Sequence, residues 1–379
     1  MKAAPILVVA AHPASWGRAG YAAQLARNRS RKGQQTVVAV ARQALPLFEG
    51  IAAEIVPLTG IAAIDRATID DLVRRFDPDT IAHFDLQSSA HLLGKGQDLY
   101  LDRIPSATLD VWDSAETGLV QDVAGLPPQP IYRGDHAAML AEWHRKLARL
   151  VPVPIAKPDG GGHRFCALET GEPVPLSDPN RRIGAARVLF ATGDWQSQFL
   201  GGAEPANELA RRVTGCIREA FDRLGAQARL VHVGPTPLPH PPSNYQWLGQ
   251  LEHSAMIGQI RDCDLVLSCN LSATTNALAL AHDRPVCLIA SSGGEVAPFW
   301  VWPIGYRRFL DPLVADNPLL DAMQLFDLSR HTDLASAILE ALAAAPAKRR
   351  QYRSRVLELP PIDCALERAM QHKEPACVP

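Results

Sequence analysis

Short apolar blocks alternate along this chain with longer stretches in which apolar and polar residues recur at helical spacing. The block Ile6-Leu-Val-Val-Ala10 is rich in β-branched residues and carries no charge, the pattern of a strand buried on both faces. A loop over His12 to Gly20 follows. Tyr21 to Arg31 then sets Leu25 and Ala26 on one side and Arg27, Arg29 and Arg31 on the other, with Gly33 as the stop, and this predicts a helix. Thr36 to Val40, Glu54 to Leu58, Thr80 to Phe84 and Ala107 to Val111 read as further strands. Between them lie a short helix, Ala41 to Phe48, and a second helix, Ile69 to Phe76, ended by Asp77-Pro78. Strands and helices in this alternation predict a parallel sheet covered by helices on both faces.

From about Leu126 to Arg187 the pattern changes. A helix is expected around Ala137 to Leu150, and the rest is rich in Pro and Gly, as in Pro158-Asp-Gly-Gly-Gly162 and Asp178-Pro179-Asn180, so the stretch reads as a domain junction. A second alternating series begins with a strand at Arg187 to Ala191. A long amphipathic helix follows from Ala206 to Leu224, stopped by Gly225, and then strands at Ala228 to Val233 and Tyr245 to Leu248. Helices at Ser254 to Arg261 and Ala273 to Ala281 alternate with strands at Asp264 to Ser268 and Pro285 to Ile289. Leu334 to about Met370 is mostly helical around a Pro360-Pro361 break. The chain is thus of α/β class, with Rossmann-like domains over residues 1–165 and 185–345 and a helical segment over 346–379.

A length of 379 residues exceeds one ordinary hydrophobic core and suits two domains. The formal net charge of −2 gives no overall field that would favour nucleic acid or an acidic membrane surface, so no nucleic-acid partner is expected. The seven cysteines form no CxxC pair and several sit in apolar runs, as in Val286-Cys287-Leu288, which fits a reducing cytoplasm. The apolar run at the N-terminus is too short for a membrane span and lacks a signal-peptide pattern; no transmembrane segment is expected. The high Ala, Arg and Pro content points to a GC-rich bacterial source.

The most informative segment is Asp262-Cys-Asp-Leu-Val-Leu-Ser-Cys-Asn-Leu-Ser-Ala-Thr-Thr-Asn-Ala-Leu-Ala-Leu-Ala281, followed by Asp283-Arg-Pro-Val-Cys-Leu-Ile289. It reads as strand, small-polar turn, helix, strand. A helix start leaves backbone N–H groups unpaired and carries partial positive charge, which suits a diphosphate. Ser272, Thr274 and Thr275 add hydroxyls, and their short side chains let a phosphate reach the backbone. The alternative is an ordinary αβ connection whose Ser and Thr cap the helix.

This segment resembles the donor-binding signature of GT-B glycosyltransferases, especially the UDP-glycosyltransferase and MurNAc-pentapeptide GlcNAc-transferase types. Cys263 to Ser268 matches the signature's strand, Ser272-Ala273-Thr274 its phosphate turn, Ala277 to Ala279 its helix, and Asp283-Arg284-Pro285 the lead into the last strand. The resemblance implies two Rossmann-like domains facing a cleft, with the C-terminal helix returning to the first domain. It implies that the turn from Gly249 to His253 faces the base, with the backbone of Leu251 at its edge. Two positions depart from the pattern: Leu271 stands where the family turn has Gly, and the acid that binds the ribose falls at Ala277, with Asn276 beside it. A different nucleotide or a degenerate site is therefore left open.

The same resemblance points elsewhere in the chain. Gly193 and Asp194, in the loop Thr192 to Ser197, would approach the donor phosphates and sugar. His12, just past the first strand, would be the base that removes the acceptor proton, oriented by Asp85 or Asp113. Glu295 would bind sugar hydroxyls. Against these stand plain alternatives: a βα turn, a histidine that caps a loop, a solvated carboxylate. Trp300, Trp302, Tyr306 and Phe309 read as junction packing or as cleft lining. His232, His240 and His253 lack metal-ligand spacing, and no protein metal site is expected. No GxxxxGK[ST], GxSxG or strand-linked GxGxxG occurs, and Asp262-Cys-Asp264 opens a strand instead of ending one. The expected activity is inverting, metal-independent glycosyl transfer, hexosyltransferase-like, from a nucleotide-diphosphate sugar (UDP or dTDP) used as co-substrate, with no further cofactor. A nucleotide-sugar epimerase or hydrolase of the same fold, or an inactive GT-B-like partner protein, stays open, as do a homodimer and a partner protein.

Overall fold

A computed structural model of the chain describes residues 5–12, 16–84, 89, 100, 103–110, 120–121, 129–130, 146–156, 158, 161–168, 184–193, 206–270, 273–290, 317–330 and 333–371. It falls into two units. The first comprises Met1–Leu119, Pro130–Ala167 and Leu359–Pro379, and the second Val120–Gln129 and Leu168–Glu358.

The first unit is built on a seven-stranded sheet of β1 (Ile6–Ala10), β2 (Thr36–Ala41), β3 (Glu54–Leu58), β4 (Thr80–His83), β5 (Ser106–Leu109), β8 (Ala148–Val153) and β9 (His163–Cys166), in the order β3-β2-β1-β4-β5-β8-β9. Every pair is parallel. All residues of β1 and β2 are buried, as unbroken apolar runs inside a parallel sheet must be. One face carries α1 (Trp16–Arg31), and Ala22, Leu25 and Ala26 pack there with Val8, Val38 and Val40. The other face packs Ile69 and Leu72 of α2 (Ala62–Phe76) on Leu7, Val9 and Ile81. A separate ribbon pairs β6 (Val120–Gln121) with β7 (Gln129–Pro130).

Three elements differ from the sequence reading by more than two residues or in kind. Helix α1 begins at Trp16, ahead of Tyr21. Helix α2 begins at Ala62, not Ile69, because buried Asp65 reaches back to accept the N–H groups of Thr59 (2.6 Å) and Gly60 (2.8 Å) and so fixes the first turn. The helix expected through Leu150 is a strand from Ala148, since Ala148-Arg-Leu150 pairs with β5 and Leu150-Val-Pro-Val153 with β9, and these neighbours supply the burial that a lone helix face would lack. Residues 137–145 lie outside the described set.

The C-terminal helix α9 (Ile362–Gln371) belongs to the first unit, as expected. Ile362, Ala365, Leu366 and Ala369 join the core beneath α1. Asp363 pairs with Lys32 and accepts from Asn28 Nδ2 at 3.1 Å.

The second unit holds a six-stranded sheet of β10 (Ala186–Ala191), β11 (Ala228–Val233), β12 (Tyr245–Trp247), β13 (Leu265–Ser268), β14 (Val286–Ala290) and β15 (Gln324–Asp327). The order is β12-β11-β10-β13-β14-β15, again all parallel. Its helices are α3 (Ala206–Leu224), α4 (His253–Asp262), α5 (Thr274–Ala281), α6 (Pro318–Asp321), α7 (Leu334–Ala343) and α8 (Ala347–Leu357). Val213, Ile217, Phe221 of α3 and Leu334, Ile338 of α7 bury against Val188, Phe190, Leu230 and Leu267. Among the described residues no helix is long and apolar enough to cross a membrane.

Candidate functional site

An open parallel sheet binds ligands beyond the carboxyl ends of its strands, at the point where the chain reverses its direction of winding. In the second sheet the chain steps from β10 outward through β11 to β12 and then returns to the far side of β10 with β13. The crevice between β10 and β13 is therefore the switch point, flanked by the loop after β10 and the turn after β13. Thr192 and Gly193 occupy the first, and Asn270 to Thr275 the second. In the first sheet the same logic selects β1 and β4. His12 follows β1 by two residues and is half-buried.

The turn after β13 is tied to one atom. The carbonyl oxygen of Asn270 accepts from Ser268 Oγ at 3.1 Å, from Asn276 Nδ2 at 2.7 Å and from the Ala273 amide at 3.2 Å. Asn276 is fully buried in this role, so its amide side chain faces the turn and not solvent. Ala277, at the position of the family's ribose acid, is buried too. The N-cap of α5 is Ala273, whose side chain caps nothing, and of the first three amides of the helix only that of Asn276 finds an acceptor among the described residues, the Ala273 carbonyl at 3.0 Å. The amides of Thr274 and Thr275 have no acceptor among the described residues, and both residues are half-buried. A side-chain cap would have spent these donors; here they point past the strand ends with the positive end of the helix.

The far end of α5 is clamped. Asp283, in a left-handed conformation (φ 54°), accepts from Arg349 Nε at 2.8 Å and Arg350 Nε at 2.7 Å, both on α8. The paired guanidinium groups let that carboxylate sit buried and fix where the helix points.

After β12, Gly249 turns the chain in a left-handed conformation (φ 70°). Leu251 packs its side chain against the apolar cluster that includes Val231 and Ile260, while neither its amide nor its carbonyl has a described partner. A backbone donor and acceptor left open on a residue held by its side chain can read the edge of a flat polar ring. His253 is the first residue of α4 and is half-buried.

A cluster that sequence reasoning passed over lies beside Thr192. His232 on β11 is 0% exposed, and its Nε2 lies 2.9 Å from Thr192 Oγ1 while its Nδ1 lies 2.8 Å from Tyr245 Oη. Burial pushes its pKa down to about 4, so the ring is neutral near pH 7. Tyr245 Oη also accepts the Leu238 amide at 3.0 Å. The sequence signal was weak: a His inside an apolar strand, and a Thr at a strand end, related only by the parallel register that sets Phe190 opposite His232.

Several candidates fall outside the described residues: Asp85, Asp113, Asp194, Ser272, Glu295 and the aromatic run Trp300 to Phe309. Among the described residues no group of His, Cys, Asp or Glu stands close enough to hold a metal ion.

A family model described as a family of unknown function (DUF6365) matches residues 49–294 and 288–374. No curated protein matches the sequence. The chain is similar in structure to the glycotransferase of kitacinnamycin, at 16% identity and a TM-score of 0.59 over 96% of this chain and 98% of that one. It is similar to the glycosyltransferase VinC, solved in complex with dTDP, at 13% identity and a TM-score of 0.58 over 97% and 98%. It is also similar to the glycosyltransferase SnogD from Streptomyces nogalater, at 14% identity and a TM-score of 0.56 over 98% and 100%. The shared feature is the fold: both sheets and their helices follow the GT-B architecture.

Proposed function

Since this chain belongs to the family of unknown function DUF6365, its activity has to be argued from its own fold and residues, and we propose that it is a glycosyltransferase using a nucleotide-diphosphate sugar. The observation that carries the reading is the uncapped start of α5 at the switch point of the second sheet, with no acceptor among the described residues for the amides of Thr274 and Thr275. A diphosphate placed there gains backbone donors and the helix end, and its leaving charge is stabilised as it develops. The base of the nucleotide would lie along the Gly249 to His253 turn, read by the Leu251 backbone. VinC was solved with dTDP, and dTDP and UDP are the first nucleotides to try.

Under this reading the acceptor loses its proton to His12, at the switch point of the first sheet, oriented by Asp85 or Asp113; Asp194 and Glu295 contact the sugar. Transfer is inverting and needs no metal, because the helix end and the hydroxyls supply the positive field.

The test is calorimetric titration of the full chain with dTDP and UDP, followed by product analysis with their sugars. Binding of either diphosphate, with sugar retained on the donor until an acceptor is added, supports transfer. Sugar released or rearranged without acceptor would point to a hydrolase or epimerase. A folded protein that binds neither diphosphate refutes the reading.

A further inference from the structure

The hydrogen-bond partners around His232 point to one direction. Tyr245 Oη already accepts the Leu238 amide, so its own proton is available, and the acceptor in reach among the described residues is His232 Nδ1 at 2.8 Å. With Nδ1 accepting, a neutral ring carries its proton on Nε2, and that proton goes to Thr192 Oγ1 at 2.9 Å. Thr192 Oγ1 is then an acceptor on its inner side, and its hydroxyl proton must point outward. The opposite arrangement, with Nδ1 protonated, would leave the tyrosine proton without an acceptor.

The wire is braced on all sides. The Thr192 amide donates to Val233 O at 2.9 Å, and the Gly234 amide to Gly249 O at 3.0 Å. Trp247 Nε1 donates to Gly234 O at 2.9 Å. Gly234 has no side chain because none fits: a Cβ there would run into Thr192 Oγ1 and come within 3.1 Å of His232 Nε2. His232 lies beside Phe190, ring centroids 5.3 Å apart, and is wholly enclosed. Thr192 is half-buried, so the outward end of the wire is its exposed end.

We infer that His232 and Tyr245 are positioning residues that hold the Thr192 hydroxyl as a fixed, outward-pointing donor to an anionic oxygen at the switch point of the second sheet. The anion, on the reading above on which this rests, is the diphosphate of the nucleotide. The loop after β10 meets it from one side and the start of α5 from the other. A free threonine hydroxyl must be oriented when the ligand arrives; this one is oriented beforehand, which is where its value lies.

The experiment is titration of the full chain and its variants with dTDP and UDP, joined to ¹⁵N-histidine NMR of the free protein. Wild type is expected to show His232 as the neutral Nε2–H tautomer. Thr192→Val, which keeps the shape and loses the hydroxyl, is expected to weaken the diphosphate by about 10-fold or more, the usual worth of a hydrogen bond to a charged group, while Thr192→Ser retains it. Tyr245→Phe is expected to weaken binding about 3-fold or more in wild type and to add nothing in a Thr192→Val background, because the two changes remove one interaction. A merely structural tyrosine would cost the same in both backgrounds, and that result overturns the inference. So does an Nδ1–H tautomer, or Thr192→Val binding as tightly as wild type. If wild type itself binds neither diphosphate, the glycosyl-donor reading falls and takes the anion role of Thr192 with it; diphosphate binding that ignores both Thr192→Val and Tyr245→Phe sinks the relay alone.

Discussion

Each sheet buries one histidine near the carboxyl end of an inner strand, His83 at the end of β4 in the first unit and His232 on β11 in the second. Both are enclosed, at 1% and 0% exposure, and burial pushes both pKa values from 6.5 down to about 4. Their partners differ completely. His83 lies opposite Val9 and Thr108, and neither of its ring nitrogens has a hydrogen-bond partner among the described residues; the Thr108 hydroxyl donates to the His83 carbonyl and not to the ring. Both nitrogens of His232 are used. Enclosure sets the charge of the two rings alike, and partners decide what each can do. The ring with two partners transmits a direction to a hydroxyl at the switch point. The ring with none is a cost that the rest of its sheet must carry.

The largest expected effect is on acid stability, where the two rings act alike. In the unfolded chain each takes up its proton near pH 6.5, and in the folded chain only near pH 4. Between those values the unfolded state binds more protons, so stability falls as pH drops from 6.5 to 4 and levels off on either side of that window. Each ring contributes up to about 3 kcal/mol to this fall. Urea unfolding from pH 7 to 4 measures it, and His83→Leu should remove roughly half of the slope.

The next effect separates the two. His232→Leu leaves Tyr245 Oη and Thr192 Oγ1 without the ring between them and should cost about 2 kcal/mol at pH 7. His83→Leu strands nothing, since the ring has no partners to lose, and should be neutral or stabilising by up to about 1 kcal/mol. Urea midpoints at pH 7 check both, and equal losses would erase the distinction drawn between the rings.

Much of the second unit was legible in the sequence. Ala206 to Leu224 and Ala228 to Val233 have the bounds that periodicity and the Gly225 stop predict. The strand-turn-helix unit from β13 to α5 was readable too, because it is local: strand, small residues and helix follow one another within twenty positions. The strand at Ala148 was not, because its apolar run continues a helical pattern and only pairing with β5 distinguishes the two. The relay was least legible. His232 and Thr192 are forty positions apart, meet only through the register of β10 with β11, and carry no spacing motif. Gly234, read alone, is a plain residue after a strand; its necessity exists only once Thr192 stands beside it.

The uncapped start of α5 can be tested with a single substitution whose two consequences have opposite signs. Ala273→Asp supplies the side-chain cap that the helix lacks and places a carboxylate where the diphosphate would lie. The variant should be more stable than wild type, by about 0.5–1 kcal/mol in urea, and should lose at least about 10-fold in affinity for dTDP or UDP. A variant that gains stability and binds the diphosphate as wild type does would show that the helix start is not where the nucleotide is held.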